Sequence, residues 1–171
     1  MSQAESRADA AFEPLVEINM EIGVFGSNWS HCDHIASYLA RMVSHNRTDS
    51  LLYSNLFSSA ANELLETVFR MHGAAGTFIC SVLRHGPVDR IELTVPCEAS
   101  QAGFYESAVD MVHREDAPER YREALFSTGQ IDPNIGLLEL AVDYDADLSV
   151  EPAGDGLIRL TADLALEDKN Q

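Results

Sequence analysis

The stretch 48–73 constrains the fold more than any other part of the sequence, because it combines a helical period with residues that end helices. Thr48 or Asp49 can cap its N-terminus by accepting a backbone N–H, and Gly73 can adopt the left-handed turn that ends a helix. Its apolar residues recur at steps of three and four, which indicates one stripe along a helix. We therefore predict a long helix that lies on a sheet through the stripe of Leu52, Leu56, Ala60, Leu64, Val68 and Met71.

Glu63 and Thr67 stand in the middle of this helix, and their spacing of four places them on one face, a turn apart. An acid on an otherwise buried helix either marks the edge of the solvated face or is held against a ligand. The residues alone favour the solvated edge, because ionised side chains are seldom buried without a partner. The acid by itself therefore identifies no site.

Length and composition predict one globular domain. The chain has 171 residues, 46% of them hydrophobic, which is enough for a sizeable core. Its three cysteines are odd in number and widely spaced, unlike a disulfide framework. No apolar run approaches the roughly 18 residues that span a bilayer, and the polar N-terminus has no apolar segment typical of a secretory signal. We expect a cytoplasmic protein.

The chain is strongly acidic, with 11 basic and 28 acidic residues and a formal charge of −17. Such a surface repels phosphate backbones and anionic lipid, so we expect neither nucleic-acid nor membrane binding. It would suit a partner protein with a basic surface. The same charge also keeps a protein soluble, which explains most of these residues without any partner.

The pattern predicts an α+β protein. Alternating residues indicate strands, and periodic apolar residues indicate helices. Antiparallel hairpins with helices between them predict a two-layer sandwich, a mixed, mostly antiparallel sheet with helices on one face. The predicted elements are, in order, a disordered arm (1–16), a strand (17–24), a helix (29–45), the long helix (48–73), a hairpin (77–83 and 88–95), a variable, lid-like segment with helical patches (97–129), a helix that starts at Asp132, a hairpin (147–151 and 157–166) and a frayed tail (167–171).

This order of elements, with an acid in the second long helix, resembles the GHKL-type ATP-binding fold of histidine kinases, gyrase-type ATPases and anti-sigma-factor serine kinases. The resemblance covers roughly residues 17–166 as a single domain and is nearest in size to the anti-sigma-factor kinases. It implies a helix in which a Glu orients water or a hydroxyl and an Asn four residues later helps to hold magnesium. Glu63 occupies the catalytic position, and Thr67 stands where the metal-binding Asn is expected.

Two further motifs of this fold are degenerate here. An Asp-x-Gly-x-Gly after the third strand binds adenine through its Asp, and in the corresponding stretch Glu98 is the only stand-in. A Gly-x-Gly-Leu opens the helix after the lid, where backbone N–H groups meet phosphates. Asn134 and Gly136 occupy these positions and keep one glycine of two, while the neighbouring Asp132 would oppose a phosphate. An ordinary helix start explains Asn134 and Gly136 equally simply.

One other cluster, His31, Cys32 and His34, carries metal-capable side chains. No second Cys/His pair follows at a spacing usual for zinc, so we do not predict a zinc site there.

The leading interpretation is a cytoplasmic regulatory protein that binds another protein in a partner-switching or two-component circuit. The resemblance implies this role, with the nucleotide motifs eroded, and it also implies homodimerisation. The residues alone predict no cofactor, whereas the resemblance implies Mg-ATP. The alternative is an active ATP-dependent serine/threonine kinase in which Glu63 is the base, Thr67 supports magnesium, and Asn134 and Gly136 cradle phosphate. An unrelated α+β ligand-binding domain is a third interpretation.

Overall fold

The computed structural model describes residues 11–24, 30–71, 76–129 and 132–167. In these ranges the chain forms five strands and five α-helices. None of these helices is both long enough and apolar enough to cross a membrane. The elements are, in order, β1 (Glu13–Glu21), a 3-10 turn (Ile22–Val24), α1 (Ser30–Val43), α2 (Ser50–Met71), β2 (Thr77–His85), β3 (Val88–Pro96), α3 (Ala99–Val112), α4 (Ala117–Phe126), α5 (Ile135–Asp143), β4 (Asp147–Gly154) and β5 (Leu157–Leu164).

The strands form one sheet in the order β1-β2-β3-β5-β4. The last strand returns to the centre, because β5 pairs with β3 and leaves β4 at the edge. All four described pairings are antiparallel, so the sheet is antiparallel rather than mixed. The predicted α+β class is confirmed.

The two faces of the sheet differ in the way that a two-layer architecture requires. Along β3 the buried residues alternate with half-buried ones, and Ile91, Leu93 and Val95 share one core with the buried side chains of the helices. The opposite face carries the half-buried residues of β3, among them Arg90, Glu92 and Thr94. There Arg90 makes a two-pronged ion pair with Asp163, at 2.7 and 2.9 Å. The apolar layer therefore lies on one side of the sheet.

Helix α2 is the predicted long helix, with a cap at Asp49. The carboxylate of Asp49 accepts the backbone N–H of Leu52 at 3.0 Å. The helix is described to Met71, and Gly73 lies outside the described residues. Its buried stripe is rotated from the predicted one at the N-terminal end, because Tyr53 and Phe57 face the core and Leu52 is 37% exposed.

The first strand corrects the predicted disordered arm. Strand β1 begins at Glu13, four residues before the predicted start, because β2 supplies backbone partners as far back as Arg84. Residues 1–10 lie outside the described part. The strand also ends earlier than predicted, at Glu21, and the N–H of Ile22 then donates to the carbonyl of Gly76 at 2.9 Å.

The lid-like segment 97–129 consists of two helices, α3 and α4. Helix α3 starts at Ala99, and Gln101 Oε1 accepts the N–H of the preceding Glu98 at 2.9 Å. Helix α4 has a proline in its first turn. The hydroxyl of Tyr121 on α4 donates to Asp143 at 2.9 Å, which ties this helix to the end of α5.

A buried charge cluster joins the sheet to the α1–α2 connection. Asp89 is fully buried and accepts hydrogen bonds from Arg84 Nε at 2.6 Å, from Arg47 Nη2 at 2.9 Å and from the hydroxyl of Tyr53. Arg84 also donates to the carbonyl of Val43, at the end of α1. A buried carboxylate is tolerated only when it is paired and hydrogen-bonded, and Asp89 has both.

Replacing Asp89 with Ala should lower the free energy of unfolding by about 3–5 kcal/mol, because it leaves Arg47 and Arg84 without their buried counter-ion. Urea denaturation measures this difference. The matched control is Arg120→Ala, which removes a surface pair with Asp116 and should change stability by less than about 0.5 kcal/mol. Equal effects of the two substitutions would show that the Asp89 cluster contributes no more than a surface pair.

Candidate functional site

The structure brings together three of the residues singled out in the sequence: Glu63, Thr67 and Gly136. Helix α5 lies against α2 so closely that a Cβ atom added at Gly136 would overlap Thr67 Oγ1 and lie 3.3 Å from Glu63 Oε2. A residue without a side chain is therefore required at this crossing. Gly136 allows the two helices to pack closely. It lies in the first turn of α5, as predicted.

Thr67 is closed off by this contact. The residue is 3% exposed, and Thr67 Oγ1 has no hydrogen-bond partner in the described part of the chain. A buried hydroxyl without a partner is energetically unfavourable. The described residues also contain no group of three or more His, Cys, Asp and Glu side chains that could hold a metal ion, and this includes the neighbourhood of His31 and His34.

Glu63 opens instead into a hollow of about 290 Å³ between α1, α2 and the end of α5. We call it the acidic hollow, because carboxylates from three helices line it and none of its described lining residues is basic. A triphosphate would be repelled there unless a cation came with it. The lining residues are Asp33, Ser58, Ser59, Asn62, Glu63, Glu139 and Tyr144.

Two carboxyl groups of the acidic hollow are shifted towards their protonated forms. Burial raises the pKa of Glu63, with a further contribution from Glu66, while Arg70 opposes the shift. Burial also raises the pKa of Glu139, and the charges of Glu63 and Asp143 add to it. A carboxylate with a raised pKa is a stronger base, so Glu63 has one property that a general base needs.

The start of α5 is already in contact with a carboxylate. The backbone N–H of Asn134 donates to Asp132 Oδ1 at 2.8 Å, so a carboxylate already takes the amide that a phosphate would meet. The Asn134 side chain makes no cap hydrogen bond. Asp132 therefore acts at this helix start as the sequence indicated it would, against an anionic ligand.

Glu98 is placed apart from the other predicted site residues. It lines a second hollow, between the start of α3 and the β4–β5 hairpin, whose lining has no residue in common with the acidic hollow. Glu98 and Glu63 therefore do not line one cavity. The prediction that Glu98 contacts adenine stays a prediction.

Sequence reasoning missed Asp33, Glu139 and Tyr144. Glu139 follows Gly136 by three residues, so a helix beginning at Asn134 already places the two on one face. That spacing was the one available signal. Asp33 lies on α1, and only the packing of α1 against α2 brings it to the same hollow.

Mg-ATP, which the resemblance implies, does not fit the residues as they are arranged here. The predicted metal ligand, Thr67, is covered by Gly136, and the predicted phosphate cradle is occupied by the carboxylate of Asp132. Carboxylates line the adjoining acidic hollow. Mg-ATP binding therefore stays a prediction that solution measurements must test.

A solved structure has a similar fold. A chain in the crystal structure of the SiaB–SiaC complex from Pseudomonas aeruginosa matches with a TM-score of 0.58 and 12% sequence identity, over 95% of this chain and 96% of that chain. At this identity the similarity concerns the fold alone. No protein-family model and no curated protein matches the sequence.

The contact between α2 and α5 can be tested with a double-mutant cycle. Gly136→Ala should destabilise the protein by about 1–3 kcal/mol, because the new methyl group overlaps the hydroxyl of Thr67. Thr67→Ala should be nearly neutral, since it removes a buried hydroxyl that has no partner. In the double variant the free energy of unfolding should recover by about 1 kcal/mol or more relative to Gly136→Ala alone.

Chemical denaturation of the four proteins provides these values. Gly103→Ala, at an open helical position where an added Cβ meets nothing within 4 Å, is the matched control. It should stabilise the protein slightly, because alanine favours a helix more than glycine does. Additive effects at positions 67 and 136 would contradict the contact.

The acidic hollow predicts a pH dependence of stability. The pKa values of Glu63 and Glu139 in the folded protein exceed the ordinary value of 4.5. At a pH between 4.5 and these raised values, the folded protein therefore binds more protons than the unfolded chain does. Stability should therefore fall as the pH rises through this interval. The Glu63→Gln/Glu139→Gln variant should melt at a higher temperature than wild type at neutral pH, and the difference should shrink towards pH 4.5. Thermal melts across this range measure it.

The exposed Glu119 on α4 supplies the control. Glu119→Gln removes the same kind of charge outside the acidic hollow and should change the melting temperature less than the double variant does at neutral pH. If the melting-temperature difference between the double variant and wild type did not vary with pH, the carboxyl groups of the acidic hollow would not be its cause.

Proposed function

We propose that this chain is a cytoplasmic regulatory protein that acts by binding another protein, in a partner-switching or two-component-type circuit. Its fold would be a degenerate form of the GHKL-type ATPase fold. The observation that carries the proposal is the contact of Gly136 with Thr67. It fills the position at which the resemblance implies magnesium and phosphate, and it leaves the nearby Glu63 facing an open hollow.

Two observations argue against nucleotide binding at this site. A magnesium ion needs oxygen ligands that it can reach, and the hydroxyl of Thr67 is buried. A phosphate needs free N–H groups at the helix start, and the amide of Asn134 is bonded to Asp132. What remains at the surface is a concave, acid-lined region formed by three helices.

The charge of this region indicates the kind of partner. The acidic hollow has carboxylates and hydroxyls but no described basic residue, and the whole chain carries a formal charge of −17. A partner with arginine or lysine side chains would be steered towards it and would relieve the repulsion between Glu63 and Glu139. The mechanism is stoichiometric capture.

The segment 97–129 supplies a means of adjusting such capture. Helix α4 buries only Ala117 and Tyr121 among its described residues, whereas Leu125 and Phe126 at its end are 51% and 81% exposed. Large exposed apolar side chains are typical of surfaces that contact other proteins. The Tyr121 hydroxyl donates to Asp143. A change in the position of α4 would therefore displace the end of α5, next to the acidic hollow.

The similar solved chain belongs to a complex of two proteins, SiaB and SiaC. That fact concerns the Pseudomonas aeruginosa proteins. For this chain it supports a role in protein binding, because the similarity extends over almost the full length of both chains.

The second candidate function is an ATP-dependent serine/threonine kinase. It is favoured by one observation, that Glu63, Thr67 and Gly136 lie together as the kinase reading requires. The raised pKa of Glu63 would suit a general base. This reading requires α5 to move away from Thr67 before magnesium and phosphate can be held.

A thermal-shift titration separates the two functions. A ligand that binds only the folded state raises the melting temperature by mass action, by an amount equivalent to about 2.7 kcal/mol at a hundred times the dissociation constant. We expect no rise with millimolar Mg-ATP or Mg-ADP. A clear rise that is lost in the Glu63→Gln/Thr67→Ala variant would support the kinase and contradict the nucleotide-independent binding protein. The variant's own melting temperature, without nucleotide, is the baseline.

A further inference from the structure

The second hollow has a chemistry different from that of the acidic hollow. It lies between the first turns of α3 and the β4–β5 hairpin and has a volume of about 160 Å³. We call it the apolar hollow, because aliphatic side chains form most of its wall. Its apolar lining includes Ala99, Ala102, Val150, Pro152, Leu157 and Ile158. Leu157 is 38% exposed, so part of this wall is open to solvent.

Three carboxylates surround the apolar hollow: those of Glu98, Glu106 and Glu151, all on exposed residues. Its described lining contains no basic side chain. Glu106 and Glu98 add to the effect of burial in raising the pKa of the Cys97 thiol. Glu151 is paired with Arg159 at 3.1 Å across the hairpin, and in the part of the chain that the structure describes neither Glu98 nor Glu106 takes part in an ion pair. The rim is therefore electronegative around an apolar floor.

The hollow adjoins the edge strand of the sheet. Strand β4 is at the end of the sheet, and among the described strands only β5 pairs with it. The outward backbone groups of such a strand can pair with an extended segment of another chain. The register irregularity between Pro152 and Gly154 limits this pairing to the first part of β4, up to Glu151. An extended segment there places every second side chain on one face.

We propose that the apolar hollow is a docking site for a short extended segment of a partner protein, with one branched aliphatic side chain in the hollow and basic residues on both sides of it. This inference rests on the proposed function, since it names the chemistry of the partner that the regulatory protein binds. A segment of this kind matches all three features: the apolar floor, the acidic rim and the edge strand β4.

A second copy of this chain fits less well. Two chains of formal charge −17 repel each other, and an acidic rim would meet an acidic surface. A basic segment is attracted by the same charges, so the net charge and the rim favour one kind of occupant.

The probe is the peptide acetyl-Lys-Arg-Leu-Arg-Lys-amide, added to isotope-labelled protein and followed by the backbone amide shifts in NMR spectra. The shifts should change mainly at 97–106 and 147–158, the two segments that form the hollow. The same peptide with Gln in place of Leu should bind roughly tenfold more weakly, because it cannot fill the apolar floor. Equal binding of the two peptides, or shifts centred on Glu63 and Glu139, would overturn the proposal.

Two neighbouring substitutions locate the site independently. Ala102→Arg places a long basic side chain in the hollow and should weaken binding of the Leu peptide at least tenfold. Gly103→Arg changes the charge equally, but its side chain enters open space, so binding should stay within about threefold of wild type. Amide spectra of both variants report that each is folded. If both variants lost the same affinity for the Leu peptide, the added charge alone would explain the loss, and the proposal would be wrong.

Failure of this inference and failure of the proposed function are distinguishable. A partner recovered equally by wild type and by Ala102→Arg overturns the docking site and leaves the proposed function standing. If the wild-type protein binds Mg-ATP and phosphorylates a protein substrate, the proposed function is wrong, whether or not the peptide binds.

Discussion

The close approach of α5 to α2 is the contact on which the acidic hollow depends. Gly136 lets the first turn of α5 lie on Thr67, and any side chain at that position would separate the helices. With the helices in contact, the hydroxyl of Thr67 is buried without a partner, while Glu63 and Glu139, one turn along each helix, line the same hollow. Gly136 therefore allows the contact that buries the Thr67 hydroxyl and leaves the acidic hollow open beside it.

The core beneath this surface depends on a second polar contact. Asp89 is buried between two arginines and a tyrosine, and these partners come from the α1–α2 connection, from α2 and from β2. The cluster fixes the start of α2 relative to the sheet. Since α2 also carries Glu63 and Thr67 towards α5, the charge cluster at the start of α2 helps to position these two side chains.

Periodicity predicted the elements but not their partners. The C-terminal part of the stripe of α2, the β2–β3 hairpin and the α+β class are visible in local spacing, which depends on residues a few positions apart. The order β3-β5-β4, the early start of β1 and the burial of Asp89 depend on pairings between distant segments, so no local pattern contains them. In the same way, Glu63, Thr67 and Gly136 were identified by resemblance, whereas the acidic hollow requires three helices to meet.

We propose above all that the contact between α2 and α5 stays closed to nucleotide and that the adjoining surface binds protein. Amide hydrogen exchange in the presence and absence of millimolar Mg-ADP tests it most directly, because it reports opening of each helix separately. We expect the backbone amides of residues 61–67 and 132–141 to exchange at the same rates with and without Mg-ADP. Nucleotide-dependent protection of these two segments would contradict the proposal, since it would mean that α5 opens and the opened contact holds phosphate.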